Sequence, residues 1–224
     1  MQKNKSSLEA IKILIKSRKI ILIELRKILN KENFNYRTFG VSIEPYISAI
    51  LINIFKKYNF IKDKKDYKLA INKNYFPDFE LKTVPPLAIE YKSGNEMKLE
   101  KGRWVTCKNS NNDMGTLNTW LIKIKKFGNE NIYYVFVIYK FSEMTKEIIN
   151  IQIAPFYKFI GLNKDGLLSY REKDGNLRPK DFYGVSPITS FEQFEKLFKK
   201  TVAYRSKRII KKHQLILKSL RHSN

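Results

Sequence analysis

The sequence predicts a single α/β or α+β domain in which helices flank a mixed central β-sheet. Three observations support this fold class. Apolar residues recur at helical spacing near both ends of the chain, a nearly all-apolar β-prone run lies between them, and no repeat or linker divides the 224 residues. A chain of this length can bury enough apolar surface to fold as one unit. We therefore expect one domain over residues 1–224.

The N-terminal part, residues 1–58, is predicted to be largely helical. Ser6 or Ser7 can cap a first helix that runs to about Asn30, because apolar residues recur there every three or four positions. A second amphipathic helix follows, and Ser42 can cap it.

The middle of the chain, residues 60–154, is predicted to contain the sheet. Short runs separated by Asp, Asn, Lys and Pro indicate strands and turns as far as Lys92, and a helix is predicted from Met114 to Lys125. The segment from Asn131 to Tyr139 is almost entirely apolar, which predicts a central strand buried on both faces. Residues 148–154 are predicted to form its neighbour.

The C-terminal part is predicted to be a long basic helix over residues 190–222. Ser190, followed three residues later by Gln193, resembles a capping box that opens this helix. Ten Lys or Arg and no acidic residue follow from residue 196 onward. One side of the helix is predicted to pack on the domain through Phe194, Leu197, Phe198, Val202, Ile209 and Ile216.

The charge balance bears on the partner of this protein. The chain has 44 Lys plus Arg against 21 Asp plus Glu, a net charge of +23. Such a surplus repels itself and is usually retained because a polyanion neutralises it, so nucleic acid is the first candidate, ahead of an anionic membrane surface or a composition without functional meaning. The single cysteine, Cys107, excludes a disulfide framework and a Cys-rich zinc site. The longest apolar runs are too short for a membrane span, and we expect a cytoplasmic protein with no membrane partner.

Two acids and a lysine stand where they can carry out phosphodiester chemistry. Side chains alternate along a strand, so Glu90 and Lys92 share one face. If the β-prone run that carries Asp78 pairs with this strand, Asp78 and Glu90 converge, and two neighbouring carboxylates suit Mg²⁺. The metal would polarise the phosphate and lower the pKa of a bound water, and the lysine would orient that water or stabilise developing charge.

A second combination of the same residue types competes with this one. Asp78, Glu80 and Lys82 would all lie on one face of a single strand. We favour Glu90 and Lys92 because they follow an apolar run of the kind expected of a buried strand. The third interpretation is that all these charges are ordinary solvated groups in an edge hairpin.

These residues resemble the PD-(D/E)xK type II restriction endonucleases. In that family Pro-Asp precedes an apolar strand that ends in Asp or Glu, any residue, then Lys, and the segments 75–79 and 87–92 are similar to the blunt-cutting EcoRV-like group. The helix upstream of Pro77-Asp78 is similar to one that carries a glutamate near the metal in the family, and Glu44 matches its place. The segment 115–120 weakly resembles a further family segment. The second acid is Glu here, where the EcoRV group has Asp.

The resemblance implies a restriction-endonuclease-like core and a homodimer that embraces double-stranded DNA, each subunit cutting one strand with Mg²⁺. It implies that Asp78, Glu90 and Glu44 hold the metal and that Lys92 positions the attacking water, which makes residues 60–154 the catalytic sheet region. No Gly-rich phosphate loop is present in the sequence, so we expect no nucleotide cofactor.

Residues that read DNA bases are expected in loops beside the catalytic strands. The planar end groups of Arg, Asn and Gln can form paired hydrogen bonds with base edges. One candidate loop follows the catalytic strand and comprises Lys108, Asn109, Ser110 and Asn111. The other lies in residues 161–186, which have four glycines and a turn at Asp174-Gly175, and contributes Arg171, Asn176, Arg178 and Lys180. The same residue types also favour turns for backbone reasons alone.

Taken together, these features predict a type II restriction endonuclease that hydrolyses double-stranded DNA in a Mg²⁺-dependent, sequence-specific manner. Two alternatives remain open at this stage. One is a DNA repair or structure-specific nuclease with the same motif, which the Glu80 and Lys82 combination would favour. The other is a non-catalytic DNA-binding protein whose acids are incidental.

Overall fold

The computed structural model describes residues 5–72, 75–106, 113–179 and 186–221. Within these residues the fold is a mixed central sheet flanked by helices, as the sequence predicts. The helices are α1 (Ser7–Lys16), α2 (Arg18–Lys31), α3 (Phe39–Ser42), α4 (Glu44–Lys57), α5 (Leu117–Phe127) and α6 (Phe191–Arg221). The strands are β1 (Tyr67–Leu69), β2 (Phe79–Leu81), β3 (Leu87–Asn95), β4 (Met97–Glu100), β5 (Arg103–Thr106), β6 (Ile132–Phe141) and β7 (Lys146–Pro155), and short 3₁₀ helices lie at Lys64–Asp66 and Phe156–Phe159.

The central sheet has the strand order β1-β2-β3-β6-β7, and β4 and β5 form a separate hairpin. Strands β3 and β6 are parallel, whereas the other neighbours in the central sheet are antiparallel. A parallel pair needs a crossover connection, and α5 lies in that connection. Strand β6 is buried along nearly its whole length, as expected for the apolar run from which it was predicted.

Two apolar clusters cover the two faces of the sheet. Ile89 and Tyr91 of β3 pack in the first, with α1, α2 and α4. Ala88 packs in the second, with Trp120 of α5 and Phe194 of α6. Because side chains alternate along a strand, Glu90 and Lys92 share the face of Ala88 and lie on the α5 side of the sheet.

The helices before the sheet are more divided than the sequence predicts. The first predicted helix is two helices, α1 and α2, which meet at Ser17, a buried residue whose amide is shared between the carbonyls of Ile13 and Leu14. This junction lets Leu14 and Ile21 both face the core. The second predicted helix is α3 followed by α4, and the residue that joins them is the buried Ile43 rather than a Ser42 cap.

Helix α5 starts later than predicted, because Thr116 forms its cap. The Thr119 amide donates to Thr116 Oγ1 at 3.3 Å. Met114, where the helix was expected to begin, is buried in the preceding loop, and its carbonyl accepts hydrogen bonds from Trp120 Nε1 at 2.9 Å and Tyr134 Oη at 3.2 Å. Met114, Leu117 and Trp120 stand three residues apart, which is a helical spacing, so the pattern does not distinguish the loop from the first helical turn.

The N-terminal part of α6 contacts the domain as far as Arg208, which pairs with Glu172 at 2.6 Å. Phe194 and Phe198 are buried, as predicted, but Ile209 and Ile216 are 38% and 46% exposed. The prediction that these two residues pack on the domain is therefore wrong. Helical spacing identifies an apolar face but does not show how far the body of the protein extends beneath it.

The stretch Phe39–Lys57, which comprises α3 and α4, is long and apolar enough to cross a membrane by length and composition alone. In the folded chain its side chains Ile47, Leu51 and Phe55 are buried in the first apolar cluster. Ser48 of the same helix shares a 3.0 Å hydrogen bond with the hydroxyl of the buried Tyr91. The stretch is apolar because its side chains form part of the protein core.

Candidate active site

Asp78 and Glu90 meet because β2 and β3 are antiparallel neighbours. Phe79 pairs with Ile89, so the residue before Phe79 lies opposite the residue after Ile89. Asp78 Oδ2 accepts a 2.6 Å hydrogen bond from the backbone amide of Tyr91. This bond fixes the Asp78 carboxylate beside β3, where the sequence analysis expects it.

Glu90 and Lys92 form an ion pair on the α5 face of β3. Lys92 Nζ lies 2.9 Å from Glu90 Oε1. The second oxygen, Glu90 Oε2, is buried and has no hydrogen-bond partner among the described residues. A buried carboxylate oxygen without a partner costs free energy. A cation or a hydrogen-bond donor that reached Glu90 Oε2 would therefore stabilise the site.

Two acids at the site, Asp78 and Glu44, have raised pKa values. Burial, followed by repulsion from Glu90, raises the pKa of Asp78 to about 7, although the Tyr91 amide and Lys92 act in the opposite direction. Burial also raises the pKa of Glu44, where Lys92 opposes the shift and Glu90 adds to it. Burial disfavours the charge on Lys92, but the attraction of Glu90 and the other two acids outweighs it and raises the pKa of Lys92. Lys92 is therefore charged, while Asp78 and Glu44 are held where ionisation is costly.

Glu44 lies at the first turn of α4, at the border of two cavities. A cavity of about 490 Å³ is lined by Glu44, Asp78 and Tyr91 among others, and one of about 270 Å³ is lined by Glu44, Lys92 and Ser93 among others. In the part of the chain that the structure describes, no group of three or more His, Cys, Asp or Glu side chains is close enough to hold a metal ion. The role of Glu44 as a metal ligand therefore stays a prediction, although Glu44 and Asp78 influence each other's charge.

The pair of carboxylates fits a hard divalent cation such as Mg²⁺. Carboxylate oxygens are the ligands that Mg²⁺ prefers, and one or two protein carboxylates with water and substrate phosphate commonly complete its shell. The unpaired Glu90 Oε2 and the raised pKa of Asp78 both indicate negative charge that lacks a counter-charge. Asp78 and Glu90 are therefore the residues that could hold such an ion.

The raised pKa of Asp78 predicts a pH-dependent loss of stability when no divalent metal is present. The ordinary value is 3.8 and the folded value is about 7, so the folded protein binds this proton more tightly than the unfolded chain. The free energy of unfolding should then decrease from about pH 4 to about pH 7, by up to about 4 kcal/mol. Urea unfolding in EDTA at several pH values, with wild type and Asp78→Asn, measures this. Parallel curves for the two proteins would contradict it.

The competing residues Glu80 and Lys82 are used differently. Glu80 is buried, and its two oxygens pair with the Nζ atoms of Lys82 and Lys126, the latter at 3.5 Å. Burial favours the neutral carboxyl, but these two lysines outweigh it and lower the pKa of Glu80. The groups that act on the carboxyl of Asp78 are instead Glu90, Lys92 and Glu44. The structure therefore groups Asp78 with Glu90 and Lys92.

Lys123 of α5 also faces this site, and it is not among the site residues predicted from the sequence. Its Nζ lies 3.8 Å from the centre of the Phe76 ring and 4.9 Å from that of Trp120. Burial lowers the pKa of Lys123 to about 8, while Glu90 and Asp78 attract its charge and Lys92 repels it. A signal was present: the spacing of Lys123 from the apolar Trp120 and Phe127 puts it on the inward face of the helix.

Some of the residues predicted to read DNA bases lie outside the described residues, and the others form contacts within the protein. Lys108, Asn109, Ser110, Asn111 and Lys180 lie outside the described residues. Arg171 pairs with Asp174 and, at 3.1 Å, with Asp113, and Arg178 pairs with Asp113 at 2.9 Å.

Asn176 lies in the same turn. Its backbone amide donates to Asp174 Oδ1 at 3.1 Å, and it forms an isolated β-bridge with Thr116, the cap of α5. These contacts give Arg171, Asn176 and Arg178 roles in holding the loop, and base reading would require the arginine ion pairs to open. Their part in DNA recognition stays a prediction.

Comparison with known proteins supports the fold. The chain is similar to the solved structure of NlaIV restriction endonuclease, with a TM-score of 0.55 and 15% sequence identity over 77% of this chain and 67% of that chain. The mixed sheet flanked by helices is therefore a restriction-endonuclease-like fold. No protein-family model matches the sequence, and no curated protein matches it either. The likeness to the EcoRV-like group stays a prediction.

Proposed function

We propose that this protein is a type II restriction endonuclease, a Mg²⁺-dependent enzyme that hydrolyses phosphodiester bonds of double-stranded DNA. The observation that carries the proposal is that Asp78 lies beside Glu90 and Lys92 on adjacent strands. Asp78 Oδ2 lies 2.6 Å from the Tyr91 amide nitrogen, and Lys92 Nζ lies 2.9 Å from Glu90 Oε1. The restriction-endonuclease-like fold and the net charge of +23 support it.

Asp78 and Glu90 would hold the Mg²⁺, which when bound supplies charge to the phosphate and acidity to a water molecule. Each protein group then has a defined task. The Tyr91 amide orients the carboxylate of Asp78. Lys92 occupies one oxygen of Glu90 and leaves the other free.

Lys92 is kept protonated by the acids around it. It can therefore donate a hydrogen bond to the attacking water or to a phosphate oxygen, where negative charge grows as the water oxygen bonds to phosphorus and one bridging P–O bond breaks. Glu44, which borders both cavities, could help to hold the metal or accept a proton at the rim of the site.

The proposal includes a homodimer and recognition of a defined sequence. A duplex has two antiparallel strands related by a twofold axis, so two copies related by the same symmetry would each present one site to one strand. Base reading by the loops at residues 108–111 and 171–180 belongs to this proposal.

Incubation with a mixed-sequence plasmid tests the proposal. We expect discrete fragments with Mg²⁺ and intact plasmid with EDTA. Nicking or smearing would instead support a repair or structure-specific nuclease. Intact DNA under both conditions, together with binding that weakens steeply as salt is raised, would support a non-catalytic DNA-binding protein.

A further inference from the structure

Lys123 is the second lysine at the proposed active site. Helix α5 packs on the face of the sheet to which β3 presents Glu90 and Lys92. Lys123 Nζ stacks on Phe76 at 3.8 Å, and Phe76 lies two residues before Asp78. The ammonium group is therefore held beside the segment that carries the first acid. The preceding loop leaves room for it, since a Cβ added to Gly115 would lie 3.0 Å from Lys123 Nζ.

The charge of Lys123 has no ionic partner among the described residues. Lys92 pairs with Glu90, whereas Lys82 and Lys126 pair with Glu80. Among the described residues, the ammonium group of Lys123 has cation–π contacts with Phe76 and Trp120 and forms no ion pair within 4 Å. Cation–π contacts stabilise a cation less than a hydrogen-bonded anion does, so this half-buried group is available for an anion that enters the site.

The charge count of the site indicates which anion that is. Asp78, Glu90 and Glu44 oppose Lys92 and Lys123, three acids against two lysines, for a net charge of minus one when all are ionised. One Mg²⁺ makes the site positive by one unit, which matches one phosphodiester. Without Lys123 the same site with one Mg²⁺ would be neutral and would attract a phosphate less strongly.

We infer that Lys123 is a catalytic residue that binds a non-bridging oxygen of the phosphate being cleaved. This inference rests on the proposed nuclease function and extends it to a residue outside the Asp78, Glu90 and Lys92 motif. Lys92 and Lys123 then divide the work. Lys92 is bound to Glu90 and acts on the water side of the site, whereas Lys123 stabilises charge that grows on the phosphate.

Single-turnover cleavage of duplex DNA tests this role with three variants. Lys123→Met keeps an unbranched side chain of similar length and removes the charge, and we expect cleavage to slow by about 100-fold or more. Lys123→Arg keeps a phosphate-binding cation and should recover at least about a tenth of the wild-type rate. Lys125→Met is the matched control, because Lys125 is an exposed lysine on the same helix, and it should cleave within about threefold of wild type.

DNA binding with Ca²⁺ in place of Mg²⁺, measured before any strand is cut, gives a second measurement, because carboxylates also bind Ca²⁺ and the site keeps its positive charge. Loss of one phosphate contact should reduce the slope of log affinity against log salt by about 0.9 in Lys123→Met. If Lys123→Met does not fold, Lys123→Gln replaces it in both assays. An inactive wild type would overturn the nuclease proposal itself. An active wild type with Lys123→Met cleaving at the same rate, or with Lys125→Met equally impaired, would overturn the role of Lys123 alone.

Discussion

Glu90→Gln is expected to reduce Mg²⁺-dependent DNA cleavage by at least about a thousandfold, because both functions of this side chain depend on its negative charge. The carboxylate pairs with Lys92 through Oε1 and leaves the buried Oε2 for a metal ion. A neutral amide has nearly the same shape but presents one oxygen instead of two and offsets no positive charge. Single-turnover cleavage measures the loss, and duplex binding in EDTA should be nearly unchanged.

Glu80→Gln is the matched control for this change. Glu80 is also a buried glutamate of the same sheet, and it also pairs with lysines, so the substitution removes a comparable charge and similar ion pairs. Its cleavage rate should stay within about tenfold of wild type once circular dichroism shows that the variant is folded. The opposite result, with Glu80→Gln inactive and Glu90→Gln active, would transfer the metal site to Glu80 and Lys82.

Divalent metal is expected to stabilise the protein against heat even when no DNA is present. A ligand that binds the folded chain alone adds about 2.7 kcal/mol of stability at a concentration 100 times its dissociation constant. For a chain of this size that corresponds to a rise of about 5 to 10 °C in melting temperature. Thermal unfolding in EDTA and in Mg²⁺ measures the rise at pH 8, where the Asp78 carboxyl, with its pKa of about 7, is mostly ionised.

The same experiment with Asp78→Asn identifies the site of binding. The amide oxygen can still accept the hydrogen bond from the Tyr91 amide, but the charge that burial and Glu90 disfavour is gone. The variant should therefore melt at a higher temperature than wild type in EDTA and gain little from Mg²⁺. An equal gain in wild type and Asp78→Asn would place the metal elsewhere on the protein.

The pairing of the strands that carry Asp78 and Glu90 was predictable because β-structure has a simple geometric rule. Alternation puts Glu90 and Lys92 on one face, and a Pro-Asp segment paired alongside brings Asp78 to them. The central strand at residues 132–141 was predictable for a similar reason, since an almost wholly apolar run must be buried on both faces. The preference for Glu90 over Glu80 rests on the observation that Glu90 follows an apolar run, and it stays a prediction.

The remaining features depend on contacts between distant parts of the chain. Lys123 reaches the site because α5 crosses back over the sheet between β3 and β6, and local spacing shows its inward face but not what it meets there. Arg171 and Arg178 are paired with Asp113, about sixty residues away, which no nearby sequence indicates. The junction at Ser17 likewise follows from how two helices fit one core.

Helix α6 determines how this protein would first meet a polyanion. Beyond Val202 its side chains are almost all exposed, and the sequence there carries seven Lys or Arg and no acid. At 1.5 Å per residue this stretch is a rod about 30 Å long, which is longer than the Debye length of about 8 Å at physiological ionic strength. The helix therefore carries positive charge farther from the domain than the domain's own charges can act through salt solution. This extension increases the volume in which a polyanion is attracted to the protein. Capture would then be fast at low salt, before any loop or active-site contact forms.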